Sequence, residues 1–374
     1  MGGRPFDAVL MISFGGPEGL GDVRPFLANV LRGRRVSPER LEEVVGHYEQ
    51  FGGLSPLTAI TRRQADGLRA RLMAQGLDLP VYLGMRNWHP LLPDVLRRMS
   101  QDGVRRAIGF VCAAHRSYSS CTQYRQNVVD ARAEAVHAGL RDVSIVYVGD
   151  WHTHPKFIDV NAGHVRGAFE RLPEQVRPRA RLVFTAHSIP VSMPGAARYR
   201  AGLLESARLV AATLQQPDWA LVFQSRSGRP EDPWLEPDVC RYLRDEHAKG
   251  LLGAVLCPIG FLCDHIEVLY DLDHEAAEVC REIGLPMARA ATVNDDGVFL
   301  DMMSDVVRAT WDRYRTGLPI AIAAGLPPIR VEGPPPARGG AGRSTPAQQS
   351  STSDLADKCG YTEPSARAVR WPRG

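Results

Sequence analysis

Between residues 264 and 275 the chain gathers Asp264, His265, Glu267, Asp271, Asp273, His274 and Glu275. Glu267, Asp271 and Glu275 recur every four residues, which puts them on one face of a helix. Like charges at that spacing weaken a helix. Four helical residues rise about 6 Å, so the row extends roughly 12 Å. Ligands to one ion must converge within about 2–2.6 Å of it. The row therefore suits passing a cation along, or holding hydrated ions, better than closing a single site. A solvated acidic face accounts for the same spacing. Against that reading, the row follows the apolar stretch PIGFL and its face carries no Lys or Arg partner.

Two other segments hold reactive residues. In FTAHSIP (184–190) His187 ends an apolar run, where its imidazole could take a proton or bind a metal near neutral pH. A hydrogen-bonded structural histidine is the plain alternative. A Ser188–His187 nucleophile pair is disfavoured, because adjacent residues of an extended strand point to opposite faces. SFGGPEG (13–19) is a glycine-rich turn without GxGxxG or a Walker lysine, so it reads as a tight turn or as a backbone floor under a flat ligand. Cys257, Cys263 and His265 match no common zinc spacing, and the two cysteines read as core residues.

These residues need a scaffold. Apolar runs at 7–13, 80–84, 107–113, 143–149, 181–186, 219–223 and 252–258 alternate with amphipathic stretches such as 61–75 and 201–214. Strand–helix alternation predicts an α/β protein with parallel sheets covered by helices on both faces. We expect an N-terminal unit over 1–150, a second over 151–290, a helical segment over 291–330 packing back on the first unit, and a disordered tail over 331–374. RAIGFVCAAHRS (106–117) echoes ARLVFTAHSI (180–189). If this reflects a duplication, His115 and His187 occupy equivalent strand ends, where open α/β sheets bind ligands.

The 374 residues carry 45 basic and 42 acidic side chains, a net charge of +3. That balance gives no support to nucleic-acid binding, which shows a basic stripe. No run of about 18 apolar residues indicates a spanning helix, and VLMIS is too short for a signal-peptide core. Seven cysteines without a CxxC fit a reduced, cytoplasmic setting.

Taken together, MISFGGPEG (11–19), HYEQFGGLSPL (47–57), SYSSCTQYRQN (117–127), FTAHSIP (184–190), FQSRSGRPEDPWLEPDV (223–239) and PIGFLCDHIEVLYDLDHEA (258–276) resemble the ferrochelatase family, from residue 6 to about 315. The resemblance implies two similar Rossmann-like domains, the type II chelatase fold, with a porphyrin cleft between them and Fe(II) as substrate. It implies that His187 and Glu267 are the metal-site pair and that Asp271 and Glu275 continue an acidic path behind Glu267. Ser55 and Tyr124 match positions that contact porphyrin propionates. The division of roles between His187 and Glu267 stays open.

The segment 25–56 is compact where protoporphyrin-using relatives often carry a long apolar lip, and it offers Arg32, Arg34, Arg35 and Arg40. It thus resembles the coproporphyrin III enzymes, whose substrate has four propionates suited to the guanidinium fork. A solvated basic turn would look the same. Phe14 stands where some of these relatives place a Tyr that can ligate iron, so it can only pack against the macrocycle. Beyond residue 300 only Cys359 remains, so no iron–sulfur cluster is expected. Iron insertion into coproporphyrin III is the expected function. Insertion into protoporphyrin IX, another metal in a related macrocycle, or a non-catalytic carrier are the alternatives. Transient contacts with neighbouring heme-pathway enzymes are expected.

Overall fold

The computed structural model describes residues 4–33, 36–227 and 231–316. Arg34, Arg35, the tail from 331 and Cys359 lie outside them. The apolar runs form two four-stranded, wholly parallel sheets. The first contains β1 (Ala8–Ser13), β2 (Val81–Met85), β3 (Arg106–Val111) and β4 (Ser144–Tyr147), in the order β2-β1-β3-β4. The second contains β5 (Arg181–His187), β6 (Trp219–Gln224), β7 (Ala254–Cys257) and β8 (Met287–Arg289), in the order β6-β5-β7-β8. Every residue of β1 is buried, as expected of a central parallel strand covered on both faces.

Around the first sheet run α1 (Leu20–Val30), α2 (Pro38–Glu49), α3 (Leu57–Ala74), α4 (Leu92–Gln101) and α5 (Gln123–His137). α4 shows why they pack: Leu92, Val95, Leu96 and Met99 form its buried stripe at the spacing of an amphipathic helix. α6 (Pro155–Glu170), α7 (Ala196–Thr213) and α8 (Val239–Ala248) accompany the second sheet. A single α-turn, α9 (Ile266–Val268), widens into a π-helix over Leu269–Ala276 and continues as α10 (Ala277–Ile283).

The two sheets share one strand order, each with its second strand outside its first. That topology corrects the reading of His115 and His187 as equivalents. His115 follows the third strand of the first sheet, whereas His187 ends the first strand of the second. Val9 pairs with Val81 as Leu182 pairs with Trp219. Five residues further along each strand, the true counterpart of His187 is Phe14.

The last described helix, α11 (Gly297–Arg315), returns to the first sheet's helices. Arg71 Nε meets Asp301 Oδ1 at 2.5 Å, and Gln75 Nε2 donates to Ser304 Oγ at 3.0 Å. Phe299 is fully buried against Trp151 and Phe157, with ring centroids 6.0 and 6.4 Å away. Phe299→Ala should cost about 3–5 kcal/mol, read from urea unfolding followed by tryptophan fluorescence. A loss below about 1 kcal/mol would mean that the seam collapses to refill the cavity.

Candidate functional site

His187 is the last residue of β5, so its side chain projects from the carboxyl edge of the second sheet, where such sheets bind ligands. Its Nδ1 hydrogen-bonds to the Ser188 carbonyl oxygen. A carbonyl only accepts, so Nδ1 carries the proton and Nε2 of the neutral ring keeps a lone pair. That Nε2 lies 3.9 Å from Glu267 Oε1. Tyr199 of α7 fixes the same residue from behind, donating from its hydroxyl to the His187 carbonyl at 3.2 Å.

His265 repeats the arrangement from the other side. Its Nδ1 donates to the Cys263 carbonyl at 3.1 Å, and its Nε2 stands 3.4 Å from Glu267 Oε2. One carboxylate thus lies between two imidazole nitrogens. Burial alone would raise the Glu267 pKa, but the charge that His187 carries once its Nε2 is protonated, with the hydrogen bond and charge of His265, outweighs it and lowers the group to about 2. His187 and Glu267 keep 33% and 41% of their side chains exposed, so the pair remains open to a substrate.

Behind Glu267 the row is graded. Burial pushes the Asp271 carboxyl up to about 7. The hydrogen bonds from Ser225 Oγ and from Gln224 Nε2 (3.3 Å) offset part of that rise, while the charges of Glu267 and Glu275 add to it. Glu275 is also raised, first by burial and then by Asp238. Gln224 Nε2 also donates to the Glu267 carbonyl at 2.7 Å, tying the end of β6 to the row. Ser225 reaches Asp271 from a left-handed backbone, φ 60°.

The sequence places these carboxylates on an α-helix face, whereas the segment from Leu269 to Ala276 is a π-helix. The i→i+5 bonds of a π-helix widen the turn. Residues four apart then stack more nearly in line than on the α-helix, where a turn takes 3.6 residues. Among the described residues, no group of three or more His, Cys, Asp or Glu is placed to hold one metal ion.

The first half supplies the opposing wall. The Glu267 charge raises the hydroxyl pKa of Tyr48 on α2 and of Tyr124 on α5, in each case behind the larger effect of burial. His47 of α2 stacks on Tyr270 of the π-helix, with centroids 3.7 Å apart and planes inclined by 16°. Phe14 is half-buried and meets Phe26 edge-on at 6.2 Å. Gly15 has φ +84° and lies against Trp88, and a Cβ on Gly16 would come within 2.8 Å of buried Ser55. The glycine pair is therefore a close-packed turn. Tyr124 is buried in the core with Leu10 and Ile12. Arg32 is exposed, and its Nη2 donates to Asn29 Oδ1 at 2.8 Å.

The structure thus assembles His187, Glu267, Asp271 and Glu275 in one place and brings Tyr124 within electrostatic range. It sets Phe14 at the equivalent strand end and Ser55 beside Gly16, and leaves Arg32 on the surface. Gln224, Ser225 and Tyr199 are additions to the sequence reading, and His265, named there only within the cluster and as a disfavoured zinc ligand, gains a direct contact with Glu267. His265 had a visible signal, since it lies two residues before Glu267, at the extended cap of the turn that carries the carboxylate.

The family description "Ferrochelatase" matches residues 6–311. The chain belongs to the ferrochelatase family. It is 44% identical over 334 residues to the coproporphyrin III ferrochelatase of Mycolicibacterium smegmatis, covering 88% of this chain and 94% of that protein. It is 46% identical to the coproporphyrin III ferrochelatase of Streptomyces griseus, covering 83% and 88%. Identity to the ferrochelatase of Rhodopirellula baltica is also 46%, over 81% and 86%. Among solved structures, the sirohydrochlorin chelatase SirB of Bacillus subtilis with Fe3+ superimposes with a TM-score of 0.51 at 10% identity, over 83% of this chain and 97% of that one. At that identity the likeness speaks for the fold alone. In ferrochelatase terms iron is the substrate metal, and imidazole and carboxylate are donors that suit it.

The Asp271 gradient has a pH signature. Its folded-state pKa of about 7 lies above the ordinary 3.8, so the folded chain binds more protons than the unfolded chain between those values. The stability this group contributes is complete below about 4 and is lost as pH rises through about 7. Asp271→Asn should be at least as stable as the parent at pH 8 and should flatten the pH dependence of iron insertion between 6 and 8. Urea melts and pH–rate profiles read both, and a profile unchanged by Asp271→Asn would exclude this carboxylate from insertion.

Proposed function

We propose that this protein inserts Fe(II) into coproporphyrin III, releasing two protons and forming coproheme. The observation that carries the reading is the His187 Nε2 lone pair held opposite an ionised Glu267 at a sheet's carboxyl edge. Insertion replaces two pyrrole N–H protons by one Fe(II). A base must therefore face the macrocycle. Glu267, held at about 2, is a weak base and serves to hold cations. His187 is the base: each pyrrole proton goes to its Nε2 and then from the imidazolium to solvent. Asp271 and Glu275 form the approach for hydrated Fe(II), and Phe14, Ser55, Tyr124 and Arg32 face the porphyrin. The substrate choice is supported by the identity to several coproporphyrin III ferrochelatases.

The reading carries a division of the chain near residue 150 and a cytoplasmic reaction, with transient contact to neighbouring heme-pathway enzymes. Among the described residues no helix is long and apolar enough to cross a membrane. The test is anaerobic Fe(II) insertion with coproporphyrin III and protoporphyrin IX side by side. We expect a preference for coproporphyrin of about tenfold or more in kcat/KM, the worth of one or two charge-assisted hydrogen bonds. A preference for protoporphyrin would overturn the substrate, and binding without insertion of either would favour a carrier.

A further inference from the structure

His115, the strand-end histidine that the metal site does not use, is 3% exposed, and its Nε2 lies 2.9 Å from Ser206 Oγ. Ser206 directs its single proton to a carbonyl, that of His152 at 2.8 Å or of Gly202 at 3.2 Å. Toward His115 it can only accept, so His115 Nε2 carries the proton and Nδ1 keeps the lone pair. Burial, and secondarily His152, push the ring's pKa down to about 3, which holds it neutral. Nδ1 is buried and meets no protein partner.

A second orphan lies in the same place. Arg125 of α5 sets its guanidinium 4.5 Å from the centroid of the Tyr147 ring, and its buried Nε also meets no acceptor. His115 and Arg125 line one cavity of about 30 Å³ at the carboxyl ends of β3 and β4, together with Arg116, Cys121, Tyr147 and Asp150. Asp150 is already engaged by Arg116 Nε and, at 3.6 Å, by Arg198. Among the described residues no carboxylate pairs with Arg125. The residues that line the cavity therefore include a cation that no described carboxylate pairs with, a buried donor without an acceptor and a buried acceptor without a donor. Buried groups of this kind call for a partner.

The geometry points to a binding site for a small monoanion that carries one O–H, of the hydrogencarbonate class. Its oxygens accept from Arg125 Nε while its hydroxyl donates to His115 Nδ1. A water needs about 10–15 Å³ of such space, so the cavity suits a planar oxyanion better than a phosphate tetrahedron. A substrate carboxylate could supply the same oxygens but, when ionised, not the hydroxyl.

The test is calorimetric titration of the full chain with bicarbonate near neutral pH, with acetate, phosphate and coproporphyrin III as further arms. We expect one saturable bicarbonate site and a raised Tm in its presence. Acetate should bind about tenfold more weakly or less, for want of one hydrogen bond. Bicarbonate binding should persist with coproporphyrin III bound. Arg125→Gln should abolish it, and Arg125→Lys, which keeps the charge but loses the Nε donor, should weaken it by about tenfold. Circular dichroism checks the fold of both variants, and the acetate comparison needs neither. No saturable binding, which would leave water alone in the cavity, overturns the proposal. So does undiminished binding in a folded Arg125 variant, or competition with coproporphyrin III, which would assign the anion to the substrate cleft.

Discussion

Replacing His187 with alanine should lower iron insertion about 10²–10⁴-fold, the usual worth of a positioned proton acceptor. Coproporphyrin should still bind. The reason lies in the tautomer: with Nδ1 committed to the Ser188 carbonyl, only Nε2 faces Glu267 and an incoming macrocycle. Deleting the ring removes the base but leaves the floor of the cleft, because Tyr199 grips the His187 main chain and not its side chain. Stopped-flow insertion assays and porphyrin fluorescence separate the two quantities. Insertion retained above a tenth of the parent rate would end the assignment of His187 as base. Equal losses of insertion and porphyrin binding would make it a binding residue instead.

Glu267→Gln should be nearly as damaging, about 10²–10³-fold in kcat/KM for Fe(II), the cost of removing one preorganised electrostatic partner. Glutamine keeps the shape and the Gln224 contact, which goes to the main chain, but it removes the charge that two imidazoles share. The loss should appear largely in the KM for Fe(II), since the group is proposed to hold the cation while His187 takes protons. Relief of the loss by raised Fe(II) would support this split. A pure kcat loss at unchanged KM would reverse the roles of the two residues.

The strands were readable because buried parallel strands are near-continuous apolar runs, so seven of the eight described strands announce themselves. β8 did not: Met287–Arg289 is three residues long and has only one buried position. The acidic row was visible, but its helix type was not. A four-residue recurrence is compatible with either α or π winding, and only the hydrogen bonds distinguish them. Ser225 was invisible for a related reason, since its hydroxyl reaches Asp271 through a positive φ that sequence seldom announces outside glycine. The Ala-His echo misled because a short match records composition at strand ends, whereas strand order reveals that the two ends differ. Arg32 was chosen for its charge, and the structure places it exposed, with Nη2 on Asn29 Oδ1.

Chains leave the ribosome from the N-terminus, and that order gives α11 a further importance. Phe6 lies in the first few residues and packs on Trp311, near the end of the described chain, with centroids 6.3 Å apart. Trp151, Phe157, Arg71 and Gln75 likewise gain contacts with Phe299, Asp301 and Ser304 of α11. While the second half is being made, the first must therefore present an uncovered aromatic seam to the cell. Its completion waits on α11, so a product ending before it would keep that seam open to chaperones and proteases.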